Sequence, residues 1–289
     1  MSKKIEICFC IDDGYVKHCL TTIISIVENS KKNYYLSFNI LTDYISIDKK
    51  EIIKNIEKKY GISIKVIEID NKKYENINLG KYGKYILYRL DCCNYIEAEK
   101  ILYLDSDTII LGDISEIWDI ELGEKIVGAV QQDKPNSFPL SIDYFNSGLL
   151  IINKNNWLEN NVANKVIDFL KSNGHYGWPD QDGLNFVLKN NWIKLPSEWN
   201  CLNFYNKKLN TKLFHFAGLK PWRWESLNPY NVEYYKYLYK TGLYNKTDKI
   251  HYIWNKAINI IPLFIRIFID KVIYLNLYYL KEYLKKRLG

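Results

Sequence analysis

The chain has 289 residues, 47% of them hydrophobic and 25% charged, and its formal net charge is +7. This apolar content suffices for a packed core, and the lack of a fixed repeat period excludes a solenoid. Residues 246–289 carry nine Lys or Arg and three Asp or Glu, which leaves only +1 on residues 1–245. A nucleic-acid-binding function is therefore excluded for the main body, because it needs a basic surface.

Cysteine usage and the first residues indicate a reduced, cytoplasmic protein. None of the six cysteines forms a Cys-x-x-Cys pair, so a zinc site is not indicated. The apolar run of residues 5–11 follows Lys3 and Lys4 and is too short for a signal peptide. Cysteines inside apolar runs are typical of small core residues in a reducing compartment.

Strands and helices are predicted to alternate in the first half of the chain. Short apolar runs predict strands at residues 5–11, 36–41, 62–69 and 101–104. Helical periodicity predicts helices over residues 19–27, 47–60 and 84–96. This alternation predicts βαβ units and an α/β, Rossmann-like fold with a mostly parallel central sheet. Ligands of such sheets bind beyond the carboxyl ends of the strands.

Two carboxylates, Asp105 and Asp107, follow the fourth predicted strand. Burying a carboxylate is costly unless a cation or a hydrogen-bond donor meets it. Side chains two positions apart on a strand point to the same side, so both can reach one hard divalent ion, Mg²⁺ or Mn²⁺. Asp12 ends the first predicted strand, so all three carboxylates can share one crevice.

Two other interpretations of these carboxylates stay open at this point. Asp is common in turns, so Asp105 and Asp107 can simply cap the end of a strand. An apolar strand followed by these two residues and Thr108 also resembles the nucleophile motif of the haloacid-dehalogenase phosphatases. That motif belongs at the end of the first strand, whereas here it ends the fourth.

The second half of the chain is more irregular. Apolar runs predict strands at residues 126–130 and 149–153, and helical periodicity predicts a helix over residues 155–172. The sequence Tyr-Phe-Asn-Ser-Gly, at residues 144–148, leads into the second of these strands.

Two polar segments follow that helix. Pro179 suits the first turn of a further helix, where it is followed by Asp180, Gln181 and Asp182. Taken alone, these three residues are explained about as well by a solvated helix start. The second segment contains His215. A lone histidine is more often structural than a metal ligand, so this segment is interpreted together with the other motifs.

Together these segments resemble the retaining GT-A glycosyltransferases of family 8, which include bacterial lipooligosaccharide galactosyltransferases and glycogenin. Five ordered motifs are far more specific than any one of them. The motifs are Ile11-Asp12-Asp13-Gly14-Tyr15, Tyr103-Leu104-Asp105-Ser106-Asp107, Tyr144-Phe145-Asn146-Ser147-Gly148, Asp180-Gln181-Asp182 and the segment from His215 to Trp222. Two departures from the family pattern are Gly14, often Asn in the family, and a His215–Lys220 segment one residue shorter than in the galactosyltransferases.

The resemblance implies an Mn²⁺-dependent hexosyltransferase, with Mg²⁺ as the alternative ion. The donor would be UDP-glucose or UDP-galactose, and the acceptor a saccharide or glycolipid of the cell surface. The implied metal ligands are Asp105, Asp107 and His215. The implied nucleotide-sugar-binding residues are Ile11, Asp12, Tyr15, Arg89, Asp105, Ser106, Asn146, Ser147, Gly218 and Lys220. The implied catalytic residues are Arg89, Asp180, Gln181 and Asp182.

Two of these implied roles have a specific chemistry. Tyr15 would stack on the uracil ring. Gln181 would face the β-face of the donor sugar, where it acts either as a nucleophile or as a stabiliser of an oxocarbenium-like ion pair. An amide is a poor nucleophile, so we favour front-side transfer in which Gln181 stabilises positive charge.

The C-terminal residues form the last distinct part of the sequence. We predict a catalytic domain at residues 1–225 and a helical C-terminal region at residues 226–289. The longest uncharged runs of that region have nine residues, whereas a membrane span needs about 20. Basic and apolar character predicts helices that lie on an anionic membrane surface, here the inner face of the cell membrane. The alternative is a helical pair packed on the catalytic domain or on another subunit.

A third class of function is a sugar-binding module without catalysis. The chain contains 8 Trp, 25 Tyr and 11 Phe residues, and aromatic rings stack on sugar faces. Aromatic residues also fill ordinary protein cores, so this composition does not separate a binding module from an enzyme. A complete set of metal-binding and diphosphate-binding residues favours the enzyme.

Overall fold

The computed structural model describes residues 3–31, 33–133, 138–140, 143–202, 210–262, 265–269 and 272. The strands are β1 (Lys3–Cys10), β2 (Tyr34–Thr42), β3 (Ser63–Glu68), β4 (Lys100–Leu104), β5 (Thr108–Ile110), β6 (Val127–Gln131), β7 (Phe145–Asn153), β8 (Trp192–Lys194) and β9 (Leu213–His215). The α-helices are α1 (Val16–Asn29), α2 (Ile47–Tyr60), α3 (Cys92–Tyr95), α4 (Ser115–Trp118), α5 (Lys154–Glu159), α6 (Val162–Asn173), α7 (Pro179–Leu188), α8 (Asn231–Lys240) and α9 (Lys246–Ile258). Short 3-10 helices lie at Asp13–Tyr15, Lys72–Tyr74, Lys84–Asp91 and Ser197–Trp199.

A seven-stranded sheet forms the centre of the fold. It is mostly parallel, as predicted. Its strand order is β3-β2-β1-β4-β7-β6-β8. β7 runs antiparallel to its neighbours β4 and β6, and the other pairings of this sheet are parallel. The start of β7 therefore lies beside the end of β4. β5 and β9 form a separate antiparallel pair.

Both faces of β1 are buried. Ile5, Ile7 and Phe9 belong to an apolar cluster that includes residues of α1 and α2, whereas Cys8 and Cys10 belong to a cluster with α6 and α7. Successive side chains of a strand point to opposite faces, so helices cover both sides of the sheet. Open space for a ligand is left at the edge where the strands end.

Three predicted boundaries are wrong. The helix predicted at residues 84–96 is a 3-10 helix followed by the short α3, in a stretch rich in Ile and Tyr, which have modest α-helix propensity. The helix predicted at residues 155–172 divides into α5 and α6, because Asn161 adopts a left-handed conformation with φ of 50°. The motif at residues 144–148 does not precede its strand, since β7 already begins at Phe145.

The first helices of the predicted C-terminal region pack on the N-terminal half of the chain. Residues of α8 share an apolar cluster with β5 and β9, and α8 packs against α1. Lys17 of α1 donates to both carboxylate oxygens of Asp248 in α9, at 2.8 and 2.7 Å. The domain boundary after residue 225 stays a prediction. Most of the apolar run at residues 272–280 lies outside the described residues.

The helix α9 buries several polar side chains and exposes several apolar ones. Its buried side chains are mainly polar: Asp248, His251, Asn255 and, as the apolar exception, Ile258. Its exposed side chains include Ile250, Ile253 and Trp254, which are 57%, 57% and 46% exposed. α9 therefore presents apolar side chains together with lysines, such as Lys249, to its surroundings. Among the described residues, no helix combines the length and the apolar character that crossing a bilayer requires.

Candidate active site

Asp105, Asp107 and His215 converge at the carboxyl end of β4. One ligand atom of each residue lies within 4.8 Å of the other two. His215 Nε2 lies 3.6 Å from Asp105 Oδ2 and 3.3 Å from Asp107 Oδ1. Ligands held about 2.1 Å from one octahedral ion lie about 3 Å apart. Two carboxylates and an imidazole at these distances therefore fit one divalent metal ion.

Strand pairing brings His215 to the two aspartates. β5 follows Asp107 directly and pairs with β9, so that Thr108 lies opposite His215. The main-chain nitrogen of Phe216 donates to the carbonyl oxygen of Asp107 at 2.9 Å. On the other side, the nitrogen of Asp105 donates to the carbonyl oxygen of Gly148 at 2.8 Å. The turn that carries both aspartates is thus held from two sides.

Each aspartate uses one oxygen for a cation and turns the other toward His215. Asp105 Oδ1 accepts hydrogen bonds from Arg89 Nη2 at 2.9 Å and from the Tyr103 hydroxyl at 2.7 Å. Asp107 Oδ2 accepts one from Lys220 Nζ. Burial alone would raise the pKa of Asp107, but Lys220 and His215 lower it overall. The second oxygens, Asp105 Oδ2 and Asp107 Oδ1, face His215 Nε2.

Arg89 joins this cluster to the start of α7. Its guanidinium lies 2.9 Å from Asp105 and 3.0 Å from Asp180, and it donates to the Ser147 carbonyl and hydroxyl oxygens. Burial alone would lower the pKa of Arg89, but the two carboxylates raise it above its usual value. Burial also raises the pKa of Asp180, while Arg89 opposes this effect. The guanidinium therefore stays charged inside the fold.

Gln181, in the first turn of α7, is held by four neighbours. Its Oε1 accepts from the Ser147 main-chain nitrogen and from Asn146 Nδ2, both at 3.0 Å. Its Nε2 lies 3.2 Å from the Tyr144 hydroxyl and 3.5 Å from Gln132 Oε1. These contacts fix which end of the amide is oxygen, because a main-chain nitrogen can only donate.

Asp182 points into the fold and does not line the cavity that contains Asp180. Its side chain is 0% exposed. Asp182 Oδ1 accepts from the Tyr144 hydroxyl at 2.6 Å, and Oδ2 accepts from the main-chain nitrogens of Tyr176 and Trp178 at 2.7 and 3.0 Å. Its predicted catalytic role stays a prediction. These contacts are those of a residue that holds the loop before α7.

Aromatic rings form another wall of the site, around Tyr15. The ring of Tyr15 lies 6.1 Å from Tyr85 and 6.2 Å from Trp222, measured between centroids. Trp222 in turn stacks on His18 at 3.6 Å. Burial raises the pKa of Tyr15 to about 12, so its hydroxyl stays protonated at neutral pH. A held aromatic ring at this position suits stacking on a base.

A cavity of about 460 Å³ connects these groups. The predicted residues that line it are Tyr15, Arg89, Asp105, Ser106, Asp107, Asn146, Ser147, Asp180, Gln181, His215, Gly218 and Lys220. Ile11 and Asp12 are not among the described residues that line it. Ile11 is buried in the core, and Asp12 accepts a hydrogen bond from the Tyr15 main-chain nitrogen at 3.0 Å. Their predicted contacts with the nucleotide stay predictions.

Several lining residues were not predicted from the sequence, among them Tyr82, Tyr85, Gln132 and Trp178. Tyr82 and Tyr85 flank Gly83 beside a polar stretch, which was a usable signal for both. Gln132 had no such signal, because it simply follows a strand. It also lines a second cavity of about 820 Å³, together with residues such as Pro196 and Asn200. The site is therefore a cleft with two adjoining parts.

The sequence model of the family described as glycosyl transferase family 8 matches residues 6–226 of the chain. The chain belongs to this family. It is 28% identical over 286 residues to General stress protein A of Bacillus subtilis, covering 88% of this chain and 98% of that protein. It is 28% identical over 260 residues to a lipopolysaccharide 1,2-glucosyltransferase of Escherichia coli, covering 79% and 76%. A solved galactosyltransferase, LgtC with donor and acceptor sugar analogs, matches with a TM-score of 0.73 and 20% identity, covering 82% of this chain and 96% of that one.

These similarities confirm the predicted family and the GT-A fold, and the protein is a glycosyltransferase. The phosphatase interpretation is not favoured, because the two aspartates follow the fourth strand. It also leaves the approach of His215 to both carboxylates unexplained. A binding module without catalysis is not favoured either. The chain belongs to a glycosyltransferase family, and three residues that could hold a metal ion line its cavity.

Proposed function

We propose that the protein transfers glucose or galactose from a UDP-sugar to a saccharide or glycolipid acceptor, with retention at the anomeric carbon. The observation that carries this proposal is the cluster of Asp105, Asp107 and His215 in a cavity that also contains Lys220 and Arg89. A departing nucleoside diphosphate accumulates negative charge, which these groups can balance. Relatives named as glucosyltransferases and galactosyltransferases support the choice of hexose.

Mn²⁺ is the proposed cofactor, with Mg²⁺ as the alternative. Asp105 Oδ2, Asp107 Oδ1 and His215 Nε2 would hold it, because these three atoms face one another. The imidazole ligand supports Mn²⁺, since Mg²⁺ is usually bound through oxygen atoms and keeps several waters. When bound, the ion supplies Lewis-acid stabilisation of the leaving diphosphate.

Lys220 and the main-chain N–H of Gly218 are proposed to bind the diphosphate. In this structure Lys220 Nζ donates to Asp107 Oδ2 and to the carbonyl oxygen of Phe216, the latter at 2.6 Å. The ammonium group therefore lies directly beside the proposed metal position. A point charge on a flexible stem can turn from a carboxylate to a neighbouring phosphate without any change of the main chain.

Gln181 is proposed to stabilise positive charge on the sugar during front-side transfer. Nucleophilic attack by its Oε1 is less consistent with the contacts, because that oxygen already accepts from Ser147 and Asn146. The cavity that Gln181 lines is also lined by Asn146, Asp180 and Arg89. The donor sugar is proposed to lie among these side chains, with its anomeric carbon toward the second cavity.

The second cavity is the proposed position of the acceptor. It adjoins the first through Gln132 and Leu202, which line both. A sugar hydroxyl in the second cavity would thus lie next to the donor sugar, as a direct transfer requires. The lipopolysaccharide glucosyltransferase among the relatives supports a growing surface glycolipid or polysaccharide as the acceptor.

The C-terminal region is proposed to bind the inner face of the cell membrane. Residues 246–289 carry a net charge of +6, and α9 exposes Ile250, Ile253 and Trp254 next to Trp224. Lys and Arg residues near an anionic surface contribute about 1 kcal/mol each, in addition to burial of the apolar side chains. An enzyme on that surface would share it with a lipid-linked acceptor.

The donor and metal assignments can be tested with a panel of nucleotide sugars. We expect Mn²⁺-dependent hydrolysis of UDP-glucose or UDP-galactose, which EDTA abolishes and added Mn²⁺ restores. Phosphomonoester hydrolysis with Mg²⁺ is the matched assay for the phosphatase interpretation and should give no turnover. Sugar binding without turnover of any donor would contradict the proposed enzyme.

The membrane assignment can be tested by sedimentation with anionic vesicles. Replacing Ile250, Ile253 and Trp254 together by Ser should reduce the bound fraction and leave hydrolysis of a soluble UDP-sugar unchanged. Tyr239→Ser is a matched control, because Tyr239 is 69% exposed on α8. Equal sedimentation of the triple variant and the unmodified protein at low and high salt would show that α9 is a packing element.

A further inference from the structure

Asn200 makes contacts that connect His215 to the amide groups of the site. It follows the 3-10 helix Ser197–Trp199 and is 4% exposed. Its Oδ1 lies 3.0 Å from His215 Nδ1, and its Nδ2 donates to Asn146 Oδ1 at 2.7 Å. Asn200 thus reaches the ring nitrogen of His215 that faces away from the two aspartates.

The main chain of β7 determines the orientation of this amide. The nitrogen of Gly148 donates to Asn146 at 2.9 Å, and a main-chain nitrogen can only donate, so the contact atom of Asn146 is its oxygen. The atom of Asn200 that faces this oxygen must then be its NH₂ group. Its carbonyl oxygen consequently faces His215 Nδ1, which has to carry the hydrogen.

We propose that Asn200 is a positioning residue that holds a hydrogen on His215 Nδ1 and so leaves Nε2 as the nitrogen that binds the ion. Nε2 faces Asp105 Oδ2 and Asp107 Oδ1, at 3.6 and 3.3 Å, on the side where the ion would lie. This inference rests on the proposed metal-binding role of His215. A histidine ligand whose other nitrogen donates to a fixed oxygen has one tautomer and one ring orientation, and both favour the metal complex.

Gly148 belongs to the same arrangement. A Cβ atom at this position would lie 2.3 Å from His215 Cε1 and 2.7 Å from Nδ1, so only glycine leaves room for the ring. Its nitrogen orients Asn146, and its carbonyl oxygen accepts from the Asp105 nitrogen. The adjacent Ser147 nitrogen fixes Gln181 in the same way. Two successive residues of β7 therefore orient groups of both the metal cluster and α7.

The tautomer can be measured directly in the unmodified protein without metal. The chain has only four histidines, so selective ¹⁵N labelling gives four ring spin systems by long-range ¹H–¹⁵N NMR. We expect His215 to carry its hydrogen on Nδ1. A hydrogen on Nε2 with none on Nδ1 would overturn the proposal, and this measurement needs no variant.

The second measurement is the Mn²⁺ dissociation constant, determined by titration calorimetry without nucleotide. Asn200→Leu keeps a similar volume and removes both hydrogen bonds, so we expect Mn²⁺ to bind about 10- to 100-fold more weakly. The control is Asn231→Leu. Asn231, in α8, is also buried, but its hydrogen-bond partners are Ser226 and Asn255, which lie outside the site. The Asn231→Leu variant should have the same Mn²⁺ dissociation constant as the unmodified protein.

An unchanged Mn²⁺ dissociation constant in folded Asn200→Leu would overturn the positioning role. If Asn200→Leu does not fold, Asn200→Asp is the second variant, because a carboxylate can still accept from His215 Nδ1. It should retain the Nδ1–H tautomer, and loss of that tautomer would contradict the proposal. Failure of the proposed function is a separate result: the unmodified protein would then bind no Mn²⁺ at all.

Discussion

The chain contains two Asp-x-Asp sequences, and the fold uses them differently. Asp105 and Asp107 follow a strand, and each turns one carboxylate oxygen toward His215. Asp180 and Asp182 lie in the first turn of α7, where one carboxylate contacts Arg89 in the cavity and the other accepts hydrogen bonds inside the fold. The first pair can share an ion, and the second pair cannot.

The difference follows from the backbone. In a helix of 3.6 residues per turn, side chains two positions apart are rotated by about 200°, so they point to opposite sides. In extended chain, or in a turn held by strands on both sides, the same spacing keeps both carboxylates together. Residue spacing alone therefore does not identify a metal site, since the local backbone decides whether the carboxylates converge.

The largest expected effect is that of Asp107→Asn, which tests the converging pair. It removes a negative charge from the proposed metal site and keeps the side-chain shape, so turnover should fall by about 10³-fold or more. Thermal unfolding should stay close to that of the unmodified protein. Asp168→Asn, on the exposed face of α6, is the control and should keep full activity. Retained turnover of Asp107→Asn at ordinary Mn²⁺ concentrations would remove this residue from the ligand set.

A smaller effect is expected for Gln181→Ala, which lies between the two diverging carboxylates. If the amide stabilises charge only in the transition state, kcat should fall by about 10²-fold with little change in KM for the donor. Gln131→Ala is a control that removes an exposed amide from β6. A glycosyl–enzyme adduct on Gln181, detected by mass spectrometry, would instead establish it as a nucleophile.

Asp180→Asn is expected to lower turnover less than Gln181→Ala does and more than Asp182→Asn does. The substitution removes one of the two carboxylates that contact Arg89, while Asp105 keeps the other contact. We expect kcat/KM for the donor to fall about tenfold, which corresponds to about 1.4 kcal/mol of transition-state stabilisation. Steady-state kinetics with the preferred UDP-sugar measure this value. A loss as large as that of Asp107→Asn would mean that Asp180 takes part in the chemical step.

The smallest effect on turnover is expected for Asp182→Asn, which should act on stability. A neutral amide cannot replace all the hydrogen bonds that this buried carboxylate accepts, so the free energy of unfolding should fall by about 1.5–3 kcal/mol. The folded enzyme should keep kcat within about twofold. Urea unfolding and steady-state kinetics separate the two quantities. A fall in kcat without loss of stability would support the catalytic role predicted from the sequence.

The proposed metal cluster was only partly predictable from the residues alone. Asp105 and Asp107 follow an apolar strand, which is a local signal with a physical meaning. His215 has no local signal, because its position depends on the pairing of β9 with β5. Only the family resemblance connected it to the aspartates. The opposite directions of Asp180 and Asp182 follow from helix geometry, but the partner of each depends on the tertiary fold.

Residues whose role depends on partners elsewhere in the sequence were the hardest to predict. Asn200 follows a short 3-10 helix in an unremarkable sequence, and its partners His215 and Asn146 lie elsewhere in the chain. The strands β1 to β4 and the helices α1 and α2 were predicted well, because apolar runs and helical periods are local. In α9 the apolar and basic pattern was visible, whereas the buried contact of Asp248 with Lys17 was not.

The pairing of β5 with β9 has a consequence for the order in which the enzyme becomes active. Asp107 and Lys220 are 113 positions apart, and His215 reaches the aspartates only through β9. Chains are synthesised from the N-terminus, so a nascent chain that ends before β9 has both aspartates but neither His215 nor Lys220. The proposed ion site is therefore incomplete in such a chain. If transfer depends on this site, as proposed, activity starts only when about three quarters of the polypeptide has been synthesised, and shorter products do not consume the donor.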